Sequence, residues 1–163
     1  MAKNRTITVQ ETTVKITAKG KEDYICLTDM AKQANERTDV VIQTWLRNRN
    51  TIEFIRLWEE LHNPNFNPSK FAGIREQTGL NNFYLSAKMW VEETNAIGIE
   101  SKAGRYGGTY AHKDIAYEFA TWLSPAFKLY FIKEFQRLKE QEQKEQREEA
   151  EWNVRRIFSN INY

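Results

Sequence analysis

The spacing of apolar residues switches near position 28 from every second residue to every third or fourth, and this switch restricts the chain to an α+β fold. Before it stand two alternating stretches rich in β-branched residues, Arg5-Thr-Ile-Thr-Val9 and Thr12-Thr-Val-Lys-Ile-Thr17. A Gly20-Lys-Glu-Asp23 turn and Tyr24-Ile-Cys-Leu27 follow. Period two with β-branched side chains predicts a small antiparallel sheet.

Beyond that point the periodicity is helical. Thr28 or Asp29 stands where an N-cap belongs, ahead of Met30-Ala-Lys-Gln-Ala34, which predicts a short first helix. Asp39 is the expected cap of a second helix over residues 40–49, with Val41, Ile42, Trp45 and Leu46 on its core side. Thr51 is the expected cap of a third, carrying Ile52, Ile55, Trp58 and Leu61 and ending before Pro64 and Pro68. A short helix over residues 69–78 and one capped by Ser86, with Met89, Trp90 and Val91, come next. Residues 97–112 are glycine-rich and alternating, as in a β-hairpin. Ile115, Ala116, Phe119, Ala120 and Leu123 then mark an amphipathic helix, and Pro125 opens a longer one through Phe131 and Phe135 to Leu138.

Residues 139–149 are Lys, Arg, Glu and Gln without an apolar seam, either a solvated helix or a linker. Apolar residues return at Trp152, Val154, Ile157, Phe158 and Tyr163. That end either folds back, pairs with a second copy, or meets a further domain. The expected organisation is one domain over residues 1–138 and a charged spacer with an apolar segment over residues 139–163.

Thirteen per cent aromatic residues, with five Trp and nine Phe, supply the burial that a folded domain needs. The single cysteine, Cys26, cannot form an internal disulfide, and no run is apolar enough to span a bilayer. These features lead us to expect a cytoplasmic protein without membrane association. A net charge of +2 does not identify a nucleic-acid binder, so any basic surface must come from clustering.

Two clusters stand out. Residues 28–50 have the outline of a helix-turn-helix, and the second helix projects Gln43, Thr44 and Arg47 away from its Trp45 face, with Asn48, Arg49 and Asn50 after them. Arg can donate two hydrogen bonds to guanine, and Gln or Asn can pair twice with adenine, each good pair discriminating by about 1–3 kcal/mol. The alternative is the polar outer face that any soluble amphipathic helix has. The second cluster, Lys102-Ala-Gly-Arg-Tyr-Gly-Gly-Thr-Tyr110, sets Lys102, Arg105 and Tyr106 around glycines that permit a tight turn. It reads as a basic wing over residues 99–111 or as an ordinary surface hairpin. Catalytic signals are thin. His62 and His112 are the only histidines, and neither zinc-protease nor zinc-deaminase spacing is present. Glu59-Glu60 and Glu92-Glu93 point about 100° apart on helices and read as solvated surface. No enzyme activity, catalytic residue, metal or cofactor is expected.

Taken together, Tyr24-Ile-Cys-Leu-Thr-Asp-Met-Ala-Lys32, Trp45-Leu-Arg-Asn48, Gly104-Arg-Tyr-Gly-Gly-Thr-Tyr-Ala-His112, Ile115-Ala116 and Trp122-Leu-Ser-Pro125 resemble the KilA-N domain. That family of phages, bacteria and large DNA viruses is similar to the fungal APSES transcription-factor domain. The resemblance covers about residues 23–138 and implies a winged-helix-like fold that binds double-stranded DNA in phage- or mobile-element-related regulation. The APSES pattern Gly-x-Tyr-Gln-Gly-Thr-Trp here becomes Gly104-Arg-Tyr-Gly-Gly-Thr-Tyr110, so the contact made by its glutamine does not carry over. The family alignment sets the hairpin tip at Lys102-Ala-Gly104, whereas Gly107-Gly108 alone suggests a tip there. The competing reading is a protein-interaction module, an antirepressor or adaptor, working through the C-terminal segment, which is also where a homodimer would form.

Overall fold

A computed structural model describes residues 4–80, 82–104 and 107–161. The first three strands are β1 (Arg5–Val9), β2 (Thr12–Lys19) and β3 (Glu22–Cys26). Together with β4 (Ile99–Lys102) and β5 (Gly108–His112) they form one antiparallel sheet in the order β1-β2-β3-β5-β4. The β1–β2 link is a two-residue turn in which Val9 faces Thr12 and both Gln10 and Glu11 have positive φ. That geometry matches the twist of the strands, although neither residue is glycine. Gln33 steadies it by donating through Nε2 to the Gln10 carbonyl at 3.3 Å.

Alternation sends Ile7, Val9, Val14, Ile16, Ile25, Ile99 and Ala111 to one face of the sheet, where all are buried. The helices cover this face. They are α1 (Leu27–Ala31), α2 (Thr38–Leu46), α3 (Arg49–His62), α4 (Pro68–Gln77), α5 (Ala87–Thr94), α6 (Lys113–Leu123) and α7 (Pro125–Ile161). Trp45, Trp90, Phe119 and Ile115 fill the middle of the layer. In α7, Phe127, Phe131 and Phe135 recur every four residues and bury completely or nearly so, each worth about 1.5–3 kcal/mol against exposure. The opposite sheet face is mostly wet. Tyr24, Cys26 and Tyr110 form an apolar island on it. Burial pushes the Tyr24 hydroxyl up to about 12, with Glu100, Glu59 and Glu22 adding to the effect, and it donates to the Ile97 carbonyl at 2.9 Å.

The structure corrects several expected helix ends. α1 starts one residue earlier than Thr28, with Cys26 at the N-cap position and no capping side chain. Thr28 and Asp29 serve tertiary partners: the Thr28 hydroxyl accepts the Thr109 N–H at 2.9 Å, and the Asp29 carboxylate accepts the Lys15 N–H at 2.9 Å. Asp39 lies inside the first turn of α2, where its charge suits the helix dipole. Thr51 is buried inside the first turn of α3, which begins at Arg49, and Leu61 is 73% exposed on its last turn. Met89 points partly to solvent. Ser86 does cap α5, accepting the Met89 N–H at 3.1 Å.

Glu59 departs furthest from expectation. It is 1% exposed and accepts N–H groups from Ile97 at 2.8 Å, Gly98 at 2.6 Å and the Asn63 side chain at 2.9 Å. Three donors make its burial tolerable, and they fix the entry to the β4–β5 hairpin. Gly98 can approach so closely because a Cβ there would lie 2.6 Å from Ile115 Cδ1 and 2.8 Å from the Trp58 ring. Beyond the hairpin, His112 caps α6: its Nδ1 accepts the Asp114 N–H at 3.1 Å, so Nε2–H is the group that meets Glu22 at 2.7 Å.

α7 passes position 138 without a break. Lys139 and Glu142 turn back to the sheet, where Arg5 bridges Asp23 and Glu142 and the Lys139 ammonium reaches Asp23 at 2.8 Å. From Gln143 to Ile161 every residue is exposed, so Trp152, Val154, Ile157 and Phe158 do not fold back onto the domain.

Candidate nucleic-acid interface

α1 and α2 are joined by residues 32–37, all exposed. Because Val41, Ile42, Trp45 and Leu46 are held in the core, the other side of α2 must face outward. There Gln43 and Thr44 are partly exposed, and Arg47, Asn48, Arg49 and Asn50 are exposed around the α2–α3 corner. The six expected residues of residues 43–50 thus all reach the surface, but Gln43 borders the cleft toward α5 and the hairpin while Asn48, Arg49 and Asn50 line another beside Glu118, Thr121 and Trp122. Their availability differs. Thr44 turns its hydroxyl back to donate to the Val40 carbonyl at 2.8 Å, and Asn48 Nδ2 donates to Thr44 and Trp45 carbonyls at 3.2 and 3.3 Å. Gln43 Nε2 donates to the Tyr84 hydroxyl at 3.1 Å, and Arg47 Nη1 to the Phe83 carbonyl at 3.4 Å. Arg49 and Asn50 make no side-chain hydrogen bond or ion pair among the described residues.

The hairpin stands beside this surface. β4 and β5 end with Lys102 opposite Gly108, and Gly104, between the two strand ends, has φ +100. Gly104 and Gly107 both lie between the strand ends, and the Gly107 N–H donates to the Gly104 carbonyl at 3.0 Å. The Thr28–Thr109 hydrogen bond fastens the base of the hairpin to α1, and Gly108 fits there because even a Cβ would come within 3.2 Å of Thr28 Oγ1. A cleft of about 280 Å³ separates α2, the start of α5 and the hairpin, lined among others by Thr38, Gln43, Lys88, Ser101 and Thr109.

Lys102 is not part of that cleft. As the neighbour of Ser101 it points to the other sheet face, where its ammonium lies 4.8 Å above the Tyr110 ring and 3.9 Å from Glu100. It shares a groove of about 420 Å³ with Lys15 and Tyr110. Arg105 and Tyr106, the other two wing residues expected from the sequence, lie outside the described residues. Sequence reasoning passed over Lys88 and Tyr84. Phe83 and Leu85 are buried and Tyr84 between them is exposed, just before the Ser86 cap, and as all three are large apolar or aromatic residues the sequence holds no signal that sets Tyr84 apart.

The KilA-N domain model matches residues 7–141, and the chain belongs to that family of DNA-binding domains. It is similar to Protein kilA of Escherichia phage P1, with 51% identity over 49 residues, 28% of this chain and 18% of that protein. The chain therefore matches under a fifth of that relative's length. No solved structure matches the chain.

Proposed function

We propose that this chain binds double-stranded DNA with α2 in the major groove and the β4–β5 hairpin as a wing on the flanking backbone, in a phage- or mobile-element-type regulatory role without catalysis. The observation that carries the reading is that the outward face of α2 and the hairpin border the same cleft, in a chain of the KilA-N family. In this arrangement Gln43 and Arg47 meet base edges, with Thr44 and Asn48 beside them, while Arg49 and Asn50 at the helix corner hold phosphates. Lys102, Arg105 and Tyr106 act on the backbone beside the wing.

Arg47→Ala tests the base contact: in a competition among duplexes it flattens the ranking of sequences by about 1–3 kcal/mol at one position and lowers bulk affinity less. An unchanged ranking removes α2 from the reading role. The wing is tested by salt. Each phosphate contact contributes about 0.9 to the slope of log affinity against log salt, so replacing Lys102 and Arg105 together by Ala reduces that slope by roughly two units and weakens all duplexes alike. A slope equal to that of the parent chain eliminates the wing.

A second reading has its own observation. Val154, Ile157, Phe158 and Ile161 lie on one side of α7 and are exposed, which supports a protein-protein contact through this segment, with a second copy or with the target of an antirepressor or adaptor.

A further inference from the structure

Both side chains assigned to base reading lean on one short segment outside α2, each on a different residue of it. Gln43 Nε2 donates to the Tyr84 hydroxyl at 3.1 Å, and Arg47 Nη1 reaches the Phe83 carbonyl at 3.4 Å. The segment that holds them is itself held. Phe83 and Leu85 are 7% and 1% exposed, so they anchor a short extended stretch in the core, and Ser86 immediately caps α5. Tyr84, between the two anchors, stays 55% exposed at the surface. A tyrosine fixed at both backbone ends and open to solvent beside a recognition surface is a rigid reference point on that surface.

From this geometry we infer that Tyr84 is a specificity-determining positioning residue, which tethers the Gln43 amide in one place on the surface that faces the DNA. The inference rests on the reading of α2 as the base-contacting helix. Its chemistry is simple. A glutamine amide has two N–H donors and one carbonyl acceptor. Two-point recognition of adenine uses one N–H and the carbonyl together. When Tyr84 accepts one N–H, the amide is held beside the segment before α5, and its remaining N–H and Oε1 are offered from one fixed place. Without the phenol oxygen the amide loses this tether and moves among the glutamine rotamers, so its pairing groups no longer meet one base position in one geometry. Tyr84 thereby makes the segment before α5 a third part of the interface, next to α2 and the hairpin.

The test is a double-mutant cycle on the full chain, with binding to a library of random duplexes as the readout. Tyr84→Phe removes only the hydroxyl and keeps the ring and both anchors. It is expected to reduce the preference at a single base position by about two- to tenfold, the range of one ordinary net hydrogen bond, with thermal stability and affinity for the averaged library unchanged. Gln43→Ala is expected to flatten the same position, and the double variant to flatten it no further than Gln43→Ala alone. If Gln43→Ala flattens a position and Tyr84→Phe leaves it sharp, the positioning role is wrong while the α2 reading stands. Should Tyr84→Phe weaken every duplex equally, its part is structural and the inference also fails. A Gln43→Ala variant with an unaltered preference overturns the α2 reading itself, and Tyr84 with it.

Discussion

Asp29 is 2% exposed, yet it carries charge, and its surroundings explain how. Burial pushes its carboxyl up, but the Lys15 N–H and ammonium, at 2.9 and 3.0 Å, together with Lys32, more than offset this and hold it below the usual carboxylate range. Asp23 is alike: burial raises it, while Lys139 and Arg5 prevail and lower it. Each carboxylate joins distant parts of the chain, Asp29 tying α1 to β2 and Asp23 tying β3 to β1 and α7. In the unfolded chain both groups titrate at ordinary values, so the unfolded state takes up protons first as pH drops. Their contribution to stability is thus whole above about pH 5 and disappears as pH falls through the depressed folded values. Asp29→Asn should lower stability at pH 7 by roughly 1–3 kcal/mol. Melting temperatures of parent and variant should draw together as pH is lowered from 7 into the acidic range. Parallel curves would show that Asp29 acts by packing alone.

At the scale of elements, what could be read beforehand follows from what periodicity reports. The buried sides of β1, β2, α2 and α6 were legible because Ile7, Val14, Trp45 and Phe119 recur at the spacing of their element, and burial against a neighbour only requires that spacing. Helix ends were less legible. A cap is one hydrogen bond, and Thr28 and Asp29 give theirs to Thr109 and Lys15, partners remote in sequence. α7 outruns the apolar pattern because Lys, Glu and Gln favour helix without any seam, and pairs such as Arg137–Glu134 and Lys139–Glu142 support it. The candidate interface divides in the same way. Gln43 and Arg47 were readable as the outside of α2, but Tyr84 was not, since its value lies in meeting Gln43 from 41 positions away. Lys102 was readable as a cation near a turn, whereas its direction depends on the register that sets it opposite Gly108.

For the whole molecule the open question is the free length of α7. The ion cluster of Arg5, Asp23, Lys139 and Glu142 fastens the helix to the edge of the sheet, and past Glu142 it continues for roughly 28 Å at 1.5 Å per residue. Val154, Ile157, Phe158 and Ile161 follow one another at i, i+3, i+4 and i+7, a stripe that remains 49–68% exposed. Leaving such side chains in water forgoes about 1.5–3 kcal/mol each. A second copy can serve as the cover, because the stripe is complementary to itself: in two antiparallel helices with the stripes overlaid, Val154 of one meets Ile161 of the other and Ile157 meets Phe158. A pair built this way also suits two half-sites on DNA, which a two-fold dimer reads together. We expect the full chain to sediment as a dimer and a chain ending at Gln146, which keeps the ion cluster, to sediment as a monomer. Ile157→Glu with Phe158→Glu in the full chain should give the same monomer and leave the melting temperature of the domain unchanged. A full chain that stays monomeric at high concentration rules out the pairing and leaves the stripe to a different protein.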